Sequence, residues 1–156
     1  MEVDLQKKYP DWKLKIIGDG SQQVELSEYI QRYELENQTE LLGVQKDVSD
    51  HLNDAQIMCF PSKFEGFPRA LGEAMSAGLA CVGYNDCEGV VHLLRDGGVL
   101  ADAEDRNDDL SVKLSAIIED DKMRDQLGRK ALEAAREYCP ETVLHEWTDL
   151  INELEV

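Results

Sequence analysis

Five short β-prone runs, each followed by a segment with helical spacing, leave this chain few folds to choose from. The runs cover residues 14–18, 39–44, 57–62, 80–85 and 98–102. Between them lie Val24, Leu26, Tyr29, Ile30 and Tyr33, then Val48, His51, Leu52 and Ala55, then Val90, Val91, Leu93 and Leu94. A strand joined to the next through a helix returns to the same end of the sheet, so neighbouring strands run parallel. Parallel sheets bury both faces under helices. The pattern therefore predicts an α/β fold: a three-layer αβα, Rossmann-like parallel sheet of about five strands. From Asp108 onward the spacing is helical only, through Leu110, Leu114 and Ile117, then Met123, Leu127 and Ala131, then Leu144, Trp147 and Ile151. This predicts a helical C-terminal tail with a break at Pro140.

At 156 residues the chain is long enough for one sizeable core. Its 33 acidic and 16 basic side chains give a formal charge of −17, which repels a phosphate backbone and excludes nucleic acid as a general partner. A bound phosphate has to be held locally. Cys59, Cys81, Cys87 and Cys139 form no close-spaced pair, which fits a reduced, cytoplasmic setting. No apolar stretch approaches the length of a membrane span, and the first residues have no signal-like apolar core.

The sharpest local signal is Glu65-Gly66-Phe67-Pro68-Arg69-Ala70-Leu71-Gly72-Glu73, directly after the third β-prone run. Pro68 suits a first helical turn, where its missing N–H costs nothing, and Gly78 suits the end, so a helix is predicted over residues 68–77. Unpaired backbone N–H groups at such a start favour anions, phosphate above all. Glu65 precedes that start and Glu73 lies just past it, and ligands of open α/β sheets bind beyond the carboxyl ends of the strands. Gly18-Asp19-Gly20 after the first run offers a turn without β-carbons, which lets a ligand approach and equally makes an ordinary tight turn.

Other candidates carry less. His51, His92 and His145 have no second ligand at metal spacing, so no metal site is assigned. The acidic loop of residues 102–109 has Asn107 where a calcium loop needs glycine and Lys113 where it needs glutamate. It reads as a solvated, helix-capping loop. No nucleophile elbow or paired Cys and His is present, so hydrolase chemistry has no support.

The block from Phe64 to Gly78, with Glu65 and Glu73 at E-x7-E spacing, resembles the donor-binding, C-terminal lobe of family 4 (group 1) retaining glycosyltransferases of the two-lobed GT-B fold. Leu14 to Gly20 is similar to that family's strand-plus-glycine turn, Leu42-Gly43-Val44 to its next strand end, and Glu88 to Gly97 to a later segment. Arg124 to Tyr138 and the Trp147 helix are similar to its tail, so the likeness covers nearly the whole chain. The resemblance implies a nucleoside-diphosphate sugar as donor substrate and no cofactor. It implies that Glu65 faces the donor sugar near the anomeric carbon as the catalytic carboxylate. Gly66, Phe67, Arg69 and Ala70 would hold the sugar hydroxyls and diphosphate, and Gly18 and Gly20 would border them. Glu73 would accept from the ribose hydroxyls, and main chain near Val44 would meet the base.

The family begins this lobe with one more strand, at the sheet's centre, followed by a loop with an Arg and a Lys that neutralise the diphosphate. Residues 1–9 resemble the end of the helix after it, and Lys13 and Lys15 do not replace the basic pair by position. Residues 1–156 are therefore expected to be a single donor lobe truncated at its N-terminus, without the acceptor lobe, and inactive alone. The Leu14 strand is expected to pair directly with the Ile57 strand, or through an oligomer contact at that gap. Membrane association would come only through the missing lobe, at the inner face of the membrane. Two other readings compete: a standalone nucleotide-binding or protein-interaction module using the Trp147 helix, and a receiver-like domain. The latter needs an Asp where the third strand ends in Pro61-Ser62.

Overall fold

The computed structural model describes residues 5–154, which fall into two compact units dividing between Asp50 and His51. The first holds α1 (Leu5–Lys8), β1 (Leu14–Ile17), α2 (Gln23–Arg32) and β2 (Thr39–Gly43). The helix expected to end near residue 9 is α1; Met1 to Asp4 lie outside the described residues. β1 and β2 pair in parallel, Leu14 opposite Thr39 and Ile16 opposite Leu41, with a register shift before Ile17. Leu14 N–H donates to Gln38 O at 2.7 Å, and the Gln38 side chain donates to Tyr9 O at 3.1 Å, tying the α1 turn to the strand. On α2 only Ile30 is buried, while Val24 and Tyr29 are exposed.

α3 (Ser49–Asp54) spans the division. The second unit then contains β3 (Ile57–Phe60), α4 (Arg69–Ser76), β4 (Ala80–Tyr84), α5 (Glu88–Leu94), β5 (Gly98–Ala101), α6 (Arg106–Glu119) and α7 (Asp121–Ala135). A 3-10 turn (Arg136–Tyr138) leads into α8 (Pro140–Leu154), so Pro140 stands where a proline is tolerated, at a helix start. β3, β4 and β5 form one parallel sheet in that order, Met58 opposite Cys81 and Cys81 opposite Gly98. β4 is the middle strand and is buried along its whole length.

Alternation along the strands divides the core. Ala80 and Val82 pack with Ile57, Cys59, Val99 and Ile117 on the α6 face. Cys81, with Met58, Phe60 and Leu100, packs on the other face against Leu71 and Met75 of α4, Val90 and Leu93 of α5, and Ala131 of α7. Each such fully buried aliphatic side chain stabilises by about 1.5–3 kcal/mol. α7 also seats on the turn before β4: a β-carbon on Gly128 would fall 2.2 Å from Gly78 O, so only glycine fits.

The five expected strands are present, each ending one or two residues short of its predicted limit because Gly18, Val44, Pro61, Ser62, Asn85 and Asp102 already belong to the turns. They make two sheets, however, and not the single sheet expected. A parallel ladder needs in-register backbone partners, and those of β1 run to β2 while those of β3 run to β4. The predicted pairing of the Leu14 and Ile57 strands is not among the ladders.

Candidate functional site

In the second unit the carboxyl ends of β3, β4 and β5 share one edge, as parallel strands must, and the loop beyond β3, with the helix it leads into, carries Glu65, Gly66, Phe67, Arg69, Ala70 and Glu73. The loop after β3 enters α4 through Pro68, which is buried with φ −77°, and the first helical bonds are Leu71 and Gly72 N–H to Pro68 O at 3.0 and 3.1 Å. The amides of Arg69 and Ala70 precede those bonds and lie on exposed residues, and no side chain caps the helix. At the other end Gly78, with φ +76°, closes α4: Gly78 N–H donates to Met75 O and Leu79 N–H to Ala74 O. That double bond is a Schellman closure, and the helix runs one residue inside each predicted limit.

Glu65 is exposed, and its Oε1 accepts from Ser62 Oγ at 2.9 Å. Glu73 is exposed on α4, whose opposite face is anchored by the fully buried Leu71 and Met75. Glu65, Gly66, Phe67, Arg69, Ala70 and Glu73 therefore form one continuous loop-and-helix surface. Gly18, Gly20 and Val44 belong to the first unit, at the carboxyl edge of its two-stranded sheet. There Gly18 N–H donates to Gly43 O at 2.8 Å, Gly18 takes φ +122°, and Gly18 and Gly20 have open surroundings.

Neighbouring groups fix the loops at the edge of the second unit. Burial pushes the Cys59 thiol in β3 up to about 11, so no thiolate is available there near neutral pH. Tyr84, at the end of β4, donates to Arg106 O at 3.0 Å, and the Arg106 guanidinium lies 4.1 Å over its ring while pairing with Asp86. The acidic loop does not cap α6 as expected, since the residue at the N-cap makes no side-chain bond to the helix's first amides; the contact runs the other way, with Asp102 N–H donating to Asp109 Oδ2 of α6 at 2.7 Å.

Two supports of the Glu65 loop were not visible in the sequence. Gly89, in the first turn of α5, brings that helix against the backbone carbonyls of Glu65 and Gly66. A glycine inside a helical pattern is a signal of close packing, but not of what packs. The Phe67 ring lies 5.3 Å from that of Tyr138, a contact no local pattern announces.

The family described as glycosyl transferases group 1 matches residues 3–134. The chain belongs to this family. Among curated relatives of this group 1 chain, the amylovoran biosynthesis glycosyltransferase AmsD of Erwinia amylovora is 29% identical over 141 residues, covering 90% of the chain and 40% of that protein. An uncharacterized glycosyltransferase of Haemophilus influenzae is 32% identical over 150 residues, covering 94% and 42%. The chain thus spans about two fifths of the length of these relatives. Its fold is shared with solved structures: Anabaena HepE in complex with UDP (TM-score 0.83, 22% identity, covering 92% of this chain and 42% of that one). Staphylococcus aureus TarM is similar too (TM-score 0.83, 24% identity, 95% and 30%). Among the described residues no helix is long and apolar enough to cross a membrane.

Proposed function

We propose that this group 1 chain is the nucleotide-sugar donor-binding part of a retaining, metal-independent glycosyltransferase that delivers a sugar to a glycan or lipid-linked acceptor. The observation that carries the reading is the uncapped start of α4 at a sheet's carboxyl edge, flanked by Glu65 and Glu73. Amides there meet a diphosphate with aligned peptide dipoles behind them. The bound UDP of HepE supports a uridine donor.

In this reading the Glu65 carboxylate stands beside the anomeric carbon and stabilises the positive charge that grows as the sugar–phosphate bond breaks. Ser62, donating to Oε1, holds the carboxylate in one rotamer. The backbone amides of Phe67, Arg69 and Ala70 take the sugar hydroxyls and diphosphate; Pro68 has no N–H to give. Glu73 accepts from the ribose hydroxyls. Gly18 and Gly20 border the diphosphate and Val44 main chain meets the base. The remaining three fifths of a protein the size of the relatives would supply the acceptor side, so the chain by itself binds donor weakly and transfers nothing. It works in the cytoplasm, with any membrane contact made by that remainder.

Titration calorimetry of the chain with UDP, UDP-glucose, UDP-GlcNAc, GDP-mannose and ADP-glucose tests this reading. Binding of one nucleotide family, weakened by Glu73→Gln, is the expected result. Absence of heat with all of them at millimolar ligand, for the chain alone and with a supplied N-terminal lobe, overturns it.

A further inference from the structure

Tyr138 ends the 3-10 turn that joins α7 to α8, far along the chain from the Glu65 loop. Its ring sits 5.3 Å from that of Phe67, tilted by 59°, which is the range in which aromatic pairs attract. Its other neighbour is His92 on α5, whose ring centroid is 6.0 Å away in an edge-on arrangement. The Tyr138 hydroxyl and His92 Nε2 are hydrogen-bonded at 2.9 Å. Partial burial, with Glu137 adding and Arg95 opposing, raises the Tyr138 phenol above its ordinary value, so it stays protonated and able to donate. Phe67 itself is about half exposed, in a loop without helical bonds of its own. An exposed ring on such a segment is free to swing unless something holds it.

We infer that Tyr138, oriented by His92, is a positioning residue for the donor segment: it fixes Phe67, and through it the backbone amides of residues 66–70 and the approach of Glu65. The inference rests on the donor-site reading above for what the segment binds, but not for how the segment is held. The two supports act on different sides of the loop. α5 backs the Glu65 and Gly66 carbonyls through Gly89, and Tyr138 holds the adjacent ring. His92 serves both, being on α5 and bonded to Tyr138. The 3-10 turn thereby links the orientation of α8 to the geometry of the loop, because the residue between α7 and α8 is the one that touches Phe67.

The test is amide hydrogen exchange on the full chain, wild type against Tyr138→Ala, Tyr138→Phe and His92→Phe. Tyr138→Ala should speed exchange at Leu71 and Gly72, whose amides are bonded to Pro68 O within the held segment, at least tenfold while β4 amides stay within about twofold of wild type, local opening being separable from global unfolding. Tyr138→Phe keeps the ring and should restore most of the protection, and His92→Phe should give an intermediate effect. If Tyr138→Ala destabilises the whole unit, Phe67→Leu removes the same contact from the loop side and should give the same pattern. Unchanged exchange at Leu71 and Gly72 in both Tyr138→Ala and Phe67→Leu overturns the inference. The nucleotide titrations above, run on the same samples, separate the two ideas: absence of binding with every nucleotide, alone and with the supplied lobe, removes the donor reading, while the exchange result alone decides the positioning role.

Discussion

Gly89 and Gly66 touch backbone to backbone: a β-carbon on Gly89 would stand 2.5 Å from Gly66 O and 2.8 Å from Glu65 O. Both atoms that it would meet are main chain, so relief requires moving the loop or α5. Gly89→Ala should therefore lower stability by about 1–3 kcal/mol despite alanine's better helix propensity, the cost of overpacking exceeding the gain. The urea midpoint should fall with the slope unchanged. A variant at least as stable as wild type would show that the loop gives way freely.

The division of roles proposed for the two glutamates predicts divided kinetics and binding. Glu73→Gln should weaken UDP binding roughly tenfold or more, since a charged acceptor is worth about 1.5–3 kcal/mol. Glu65→Gln should leave UDP affinity within about twofold, because UDP lacks the transferred sugar that Glu65 is proposed to face, while transfer by a complete enzyme falls by orders of magnitude. Calorimetry and a transfer assay on the two variants check the split. Equal effects of both substitutions on UDP affinity would remove the assignment.

Ser115, inside α6, buries its hydroxyl with no hydrogen-bond partner recorded among the described residues. An unsatisfied buried hydroxyl costs free energy that an apolar residue does not. Ser115→Ala should raise stability by about 0.5–1.5 kcal/mol, with help from helix propensity. Thermal and urea unfolding together give the sign.

Alkaline stability should fall early. Burial raises the Cys59 thiol from 9.0 to about 11 and the Cys81 thiol to about 12. A group whose folded value is raised keeps its full contribution below the unfolded value and loses it as pH climbs towards the folded one. Above about pH 9 the unfolded chain therefore releases protons that the folded chain retains, and each thiol removes about 1.4 kcal/mol per pH unit up to its folded value. Urea midpoints under reducing conditions should drop between pH 8 and 10, and Cys81→Ala should flatten that drop by comparison with its own value at pH 8.

What the sequence disclosed was whatever depends on short range. Continuous apolar runs located β3 and β4 because both faces of each strand are covered, β4 fully and β3 in part, and Pro68 and Gly78 bracketed α4 because both residues act through their own backbone angles. The Glu65 and Glu73 pair was legible for the same reason, being one loop and one helix. Sheet partition was not legible: alternation says that strands are parallel and covered, but nothing in residues 14–17 or 57–60 specifies which neighbour supplies the ladder. Nor were Gly89, His92 and Tyr138, whose meaning lies in contacts across 46 residues in the case of the hydrogen-bonded pair.

The seat of α7 on Gly78 has a consequence for how such a chain can diverge. Gly128 and Gly78 meet with no side chain between them, at the end of β4 where the chain enters the sheet, whereas every loop around Glu65 leaves from the opposite end. Tolerance to substitution is thus unevenly spread. Changes that retune what the loops accept can accumulate without disturbing that contact, while a single methyl at residue 128 would unseat the helix that the strands depend on.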